Sequence, residues 1–199
     1  KINGLLLVGD TISKTVNKQD KSNTLLFGDA ISATLVEKKN NCKNFFSVGS
    51  GTCGFNKLFI KNSGFKIDDK KKTEPEFFMD GKEVFSFAIR RIPKLINEII
   101  QKSKIKKRDI NFFILHQANK MMLDKILDMA LIEEKKRLFS IKEYGNTSSA
   151  SIPITICKNL FKKKEKKFCL LSGFGAGFSF ATCLTDITNT KIFKIIKKS

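Results

Sequence analysis

The period of apolar and polar positions changes several times along the chain, and each change marks an element. Residues 5–8 are a continuous apolar run between Gly4 and Gly9, the pattern of a central strand buried on both faces. Residues 13–23 are polar and read as a loop. Residues 25–27 and 30–36 predict short strands around a Gly28-Asp29 turn, and residues 45–48 predict another strand. Residues 49–75, rich in Gly and Lys with little periodicity, predict a long connection. From residue 83 to 102, Phe85, Ala88, Ile89, Ile92, Ile96, Ile99 and Ile100 recur at three- and four-residue spacing, which makes one apolar helix face. Pro93 inside it is expected to kink or open that helix. Residues 112–115 read as a second buried strand ending in His116. A helix over 121–131, a short strand over 138–141 and a helix from about 148 to 161 follow. Residues 168–171 and 178–184 close the pattern as strands around a Gly-rich turn at 173–177, and residues 186–199 read as a loosely held basic terminus. Strands alternating with helices predict an α/β layered fold with a mostly parallel sheet.

Composition narrows the function classes. At 199 residues and 41% hydrophobic, the chain is long enough to bury one full core. No apolar run reaches eighteen residues, so no membrane-spanning helix is expected. The apolar stretch behind Lys1 is too short for a signal-peptide core and lacks a small-residue cleavage site. A start at Lys1 directly before a strand leads us to expect the later part of a longer polypeptide. The net charge of +19 invites a nucleic-acid reading. Lys, however, greatly outnumbers Arg and is scattered, apart from clusters at 70–72, 162–167 and 191–198, and the Phe residues sit in strands and helix faces rather than between basic residues. A solvated basic surface or an acidic partner fits better than nucleic acid. Cys42, Cys53, Cys157, Cys169 and Cys183 form no CxxC pair, which argues against structural zinc, and their odd number without a secretion signal points to a reducing cytosol.

Three segments put polar or small residues where α/β folds keep their chemistry, at the carboxyl ends of strands. Leu115-His116-Gln117-Ala118-Asn119 carries the only histidine, whose Nε2 could donate a hydrogen bond into a crevice; a satisfied structural histidine is the plain alternative. Tyr144-Gly145-Asn146-Thr147-Ser148-Ser149-Ala150-Ser151 crowds a turn into a helix that Thr147 or Ser148 could cap, with Asn146 tolerating a left-handed backbone. Ser172-Gly173-Phe174-Gly175-Ala176-Gly177-Phe178 could aim backbone N–H groups into one cavity, although an ordinary hairpin looks the same.

The order of these three segments resembles the β-ketoacyl-acyl carrier protein synthase III family of thiolase-fold condensing enzymes. Leu7-Val8-Gly9-Asp10, Asp20-Lys21 through Leu26-Phe27-Gly28-Asp29, and Met79-Asp80-Gly81-Lys82-Glu83-Val84-Phe85 extend the resemblance upstream. It implies a thiolase-like layered fold. Residues 1–41 would be the end of the N-terminal half, 42–185 the C-terminal half, and 186–199 a tail. It implies an acyltransferase of fatty acid or related acyl-chain synthesis. A cysteine takes an acyl group from coenzyme A, and malonyl-acyl carrier protein then decarboxylates and attacks it. By motif position, His116 and Asn146 would stabilise the enolate, and the backbone N–H near Ala176 an oxyanion. Lys21, Lys82, Ala118, Asn119 and Lys120 would meet the carrier or coenzyme A, and Phe27 and Phe174 would line the acyl pocket. The resemblance also implies a homodimer in the cytoplasm, with no metal or bound cofactor and with neither nucleic acid nor membrane as partner. The nucleophile is the chief departure, because none of the five cysteines sits in the Ala-Cys turn that the family uses. Met121 also stands where an arginine is common, and Asp128 and Met129 replace basic docking positions. A degenerate non-catalytic subunit and a hydroxymethylglutaryl-coenzyme A synthase-like enzyme stay open as alternatives.

Overall fold

The computed structural model describes residues 3–38, 42–51, 53–63 and 74–197. The lysines at 70–72 and the middle of the 49–75 connection lie outside the described residues. Strand β1 (Asn3–Asp10) leads into a 3-10 turn and the one-turn helix α1 (Lys21–Thr24), where a loop was expected. Strand β2 (Ala30–Glu37) returns antiparallel to β1, with Leu5 opposite Leu35 and Asp10 opposite Ala30. The apolar run of β1 is a strand but is not buried, since Leu5, Leu6 and Leu7 are 63%, 52% and 62% exposed. A two-stranded ribbon offers its faces for cover, and the described residues supply little. Residues 25–27 make no strand; Phe27 forms an isolated parallel bridge with Asn146.

Strand β3 (Phe45–Ser50) follows, then β4 (Leu58–Lys61), inside the stretch expected to be bare connection, and its antiparallel partner β5 (Glu76–Met79) just beyond it. Asp80 caps the next helix, α2 (Gly81–Ser103), by accepting from the Glu83 N–H at 3.2 Å. The helix runs through Pro93, which is buried on its apolar face. Strand β6 (Phe112–Leu115) and helix α3 (Lys120–Met129) come next, α3 capped by Asn119 through a 2.8 Å bond from the Met122 N–H. Then come the one-turn helix α4 (Ile141–Tyr144), helix α5 (Ser151–Leu160), and strands β7 (Phe168–Gly175) and β8 (Ser179–Asp186).

The main sheet has the order β3-β8-β7-β6, and only β6 and β7 are parallel. The expected mostly parallel sheet is therefore corrected to a mixed one. β7 and β8 are separated only by the turn at Ala176–Phe178, too short for a crossover, so they must pair antiparallel. Side chains of β6 alternate between two cores. Phe113 and Leu115 join α2 and α3 on one face, while Phe112 and Ile114 join Leu138, Leu160 and Cys169 on the other. That double burial explains why β6 reads as an uninterrupted apolar run. The expected strand at 138–141 is reduced to the Leu138 N–H reaching the Phe113 carbonyl, because Gln117 captures the Ser140 and Ile141 N–H groups and starts α4 instead. The terminus expected to be loose is held through its first residues: Ile187 and Ile192 pack on the second core, and Thr188 Oγ1 accepts from the Lys167 N–H at 2.9 Å.

Candidate active site

Because β6 and β7 are parallel, their carboxyl ends open on the same edge of the sheet, where His116 follows β6 and Phe174 and Gly175 end β7. The His116 N–H donates to the Ser172 carbonyl at 2.8 Å, which locks the histidine backbone onto β7. The imidazole stands edge-on to the Phe174 ring, 5.4 Å between centroids. Its Nδ1 lies 2.7 Å from Ser151 Oγ at the start of α5. Burial pushes the His116 pKa from 6.5 down to about 4, and the Ser148 carbonyl offsets only part of that. The ring is therefore neutral at physiological pH and can donate one hydrogen bond without carrying charge.

Asn146 reaches the same region by close backbone packing. Its N–H donates to the Leu26 carbonyl at 2.9 Å, and its own carbonyl accepts from the Gly28 N–H at 3.0 Å. A Cβ at Gly28 would sit 2.1 Å from the Tyr144 carbonyl oxygen, so only glycine admits this approach. Asn146 is not among the residues of positive φ, where a left-handed backbone had been expected; its neighbours Gly145 (φ +65°) and Ser148 (φ +49°) are. Neither Thr147 nor Ser148 caps the following helix through its side chain. Asn146 Oδ1 instead accepts from the Ser148 N–H at 2.9 Å, which turns the amide so that Nδ2 is the group left to donate. Asp10 at the end of β1 braces the loop by accepting from the Ser149 N–H at 3.2 Å and from Ser149 Oγ. Burial alone would raise the Asp10 pKa, but the Ser149 and Ser148 hydrogen bonds bring it below the ordinary 3.8.

The other site residues read from the sequence are distributed around this centre. Phe27 bridges Asn146 and meets Phe77 edge-on at 4.9 Å. Ala176 is exposed in the turn after β7, whose left-handed positions are Gly177 and Phe178, so an alanine fits there without strain. Ala118 is buried beside His116, and Asn119 serves as the α3 cap. Lys21, Lys82 and Lys120 are exposed at the starts of three different helices. Lys120 is held by Asp124 at 2.5–2.6 Å and lies over the Phe139 ring. Sequence reasoning missed the roles of Ser151, Gln117 and Asp10. Their signal was present only as polar residues within the same motifs. Burial pushes Cys169 to about 12 and Cys183 to about 11 and raises Cys157, so these thiols resist becoming thiolates; Cys42 and Cys53 are exposed.

The sequence profile for 3-oxoacyl-[acyl-carrier-protein] synthase III matches residues 2–54, and the profile for the C-terminal part of the same enzymes matches residues 100–187. The beta-ketoacyl-[acyl-carrier-protein] synthase III of Streptococcus sanguinis is 35% identical over 92% of this chain. The chain belongs to the 3-oxoacyl-[acyl-carrier-protein] synthase III family. A putative 3-oxoacyl-[acyl-carrier-protein] synthase 3 of Campylobacter jejuni is also 35% identical over 92% of the chain. The chain spans 59% and 55% of the lengths of these two synthase III relatives. Among solved structures, the 3-oxoacyl-(acyl-carrier protein) synthase of Burkholderia xenovorans superposes on 98% of this chain with a TM-score of 0.90 at 34% identity, and 59% of that structure is covered. The priming β-ketosynthase of the R1128 polyketide pathway superposes on 92% with a TM-score of 0.81 at 26% identity, covering 57% of that structure. The fold is accordingly the thiolase-like α/β fold of synthase III.

Proposed function

We propose that this chain carries the part of a condensing enzyme that activates malonyl-acyl carrier protein, in a decarboxylative Claisen condensation with an acyl-coenzyme A starter. The observation that carries the reading is a neutral His116, held at Nδ1 and met by the Ser148 carbonyl, together with a Ser148 N–H that occupies Asn146 Oδ1 and leaves the Asn146 amide N–H₂ to donate. Loss of CO₂ from a malonyl thioester leaves the electron pair of the broken C–C bond as an enolate, with its charge on the thioester oxygen. Two neutral donors stabilise that oxygen without offering a proton that would quench the carbanion. The carbanion then attacks an acyl thioester on cysteine, forming the new C–C bond and releasing thiolate. The buried thiol of Cys169 and the half-buried thiols of Cys157 and Cys183, all held neutral by desolvation, suit that nucleophile poorly. We assign it to a segment outside these 199 residues. Incubation of the chain with acyl-coenzyme A should then yield no acyl adduct by intact mass, and a stoichiometric adduct would refute the assignment.

The deciding experiment uses the complete polypeptide. His116→Ala and Asn146→Ala should each slow malonyl decarboxylation by on the order of 10²–10³, the usual cost of one oxyanion donor. Acylation of the cysteine should suffer less, since its oxyanion would be held by backbone N–H groups, the one near Ala176 included. Equal losses in both half-reactions would overturn these roles. The same reading includes a cytoplasmic homodimer, coenzyme A thioester as substrate rather than bound cofactor, and carrier docking near Lys82, Lys120 and Lys125. Lys120 already shares its charge with Asp124, so Lys125 should contribute more. Lys120→Glu with Lys125→Glu should weaken carrier binding and flatten its salt dependence, with acyl-coenzyme A turnover little changed. An unchanged affinity and salt slope would remove this face from consideration.

A further inference from the structure

We propose that Ser151 is a positioning residue: its hydroxyl donates to His116 Nδ1 and so keeps the ring proton on Nε2. Ser151 is 1% exposed, and among the described residues His116 Nδ1, at 2.7 Å, is the group within hydrogen-bond reach of its hydroxyl. A buried hydroxyl must place its own proton on an acceptor. If the imidazole donated from Nδ1 instead, whether to Ser151 or to the Ser148 carbonyl that also meets the ring, the serine proton would have no described acceptor. The satisfied arrangement therefore has Ser151 as donor, Nδ1 as acceptor and Nε2–H on the far side of the ring.

The serine is itself held in place. Its carbonyl accepts from Thr155 Oγ1 at 2.8 Å, and Thr155 Oγ1 lies 2.7 Å from Ser140 Oγ. The Ser140 N–H donates to Gln117 Oε1 at 2.8 Å, and Gln117 Nε2 donates to the Leu115 carbonyl at 2.7 Å. The chain of contacts thus leaves β6 at Leu115, passes Ser140 at the head of α4 and Thr155 and Ser151 in α5, and returns to His116 just after β6. Its other side chains are buried, Thr155 and Gln117 fully so, and the imidazole is half-buried against them. Such a closed polar circuit resists rotation of any one member.

The consequence for turnover rests on the reading of His116 as an enolate-stabilising donor, whereas the location of the ring proton does not. His116 is the only histidine in the sequence, so ¹⁵N-histidine labelling of the 199-residue chain gives one imidazole whose two nitrogens report the tautomer by two-bond proton–nitrogen correlation. The wild type should show a protonated, pyrrole-type Nε2 and a bare Nδ1 at pH 7. Ser151→Ala should shift the tautomer ratio toward Nδ1–H by on the order of fivefold, the equivalent of one hydrogen bond, and Ser151→Thr should restore the wild-type pattern. If Ser151→Ala loses its cooperative melt, Ser151→Cys supplies the comparison with the side-chain volume kept. A wild-type proton on Nδ1, or a ratio unmoved in the folded variant, would overturn the inference. An unaffected decarboxylation rate in His116→Ala would instead overturn only the functional reading.

Discussion

His116 couples the chemistry of the site to the stability of the chain. In the unfolded chain its imidazole takes up a proton as pH falls through 6.5, whereas in the folded chain it does so only near 4. The folded state is therefore favoured fully above pH 6.5 and loses ground through that window, because the unfolded state binds more protons there. Lowering the pH from 7 to 5 should cost about 2 kcal/mol from this group, a range in which most carboxylates stay ionised in both states. Urea unfolding at the two pH values should show that difference, and His116→Gln should remove most of it; a variant with the same pH dependence as wild type would refute the assignment. Much at this scale was legible, since the order of the polar motifs singled out His116 and Asn146. Ser151 was not, because a serine after a helix start looks like any other small residue until the fold brings it 2.7 Å from Nδ1.

At the scale of elements, the loop carrying Asn146 depends on Gly28 more than on its own caps. Gly28→Ala would drive a methyl group into the Tyr144 carbonyl and pull apart the two backbone bonds that hold Asn146 to Leu26 and Gly28. The expected cost is about 1–3 kcal/mol from overpacking, with lost hydrogen-exchange protection at the Asn146 and Gly28 amides. Retained protection at both amides would contradict this account. Elements with strong period were readable from the chain: α2, α3, β6, β7 and β8 lie within a few residues of their expected positions. The failures were short and decided by distant partners. β4 and β5 need each other across the 49–75 stretch, and the expected strand at 138–141 gave way because Gln117, distant in sequence, took its N–H groups.

For the whole molecule, the largest departure from expectation is the uncovered ribbon of β1 and β2. Leu5, Leu7, Ile31 and Leu35 are each more than half exposed, an apolar surface of the kind that marks an interface. The chain should therefore bind a hydrophobic reporter dye and self-associate at raised concentration. Leu5→Thr with Leu35→Thr, a directly opposed pair, should reduce both while keeping a strand-compatible residue at each position. Equal dye binding by the variant would show that this face is not the exposed surface in solution. The sequence by itself determined the layered α/β character, the long helices and the order of the site segments, because periodicity and local turn chemistry are short-range properties. The tertiary structure alone decided the pairing of β3 with β8, the exposure of β1 and the meeting of His116 with Ser151. Those depend on contacts between residues tens of positions apart, and no local pattern encodes which distant group will arrive to satisfy a buried donor.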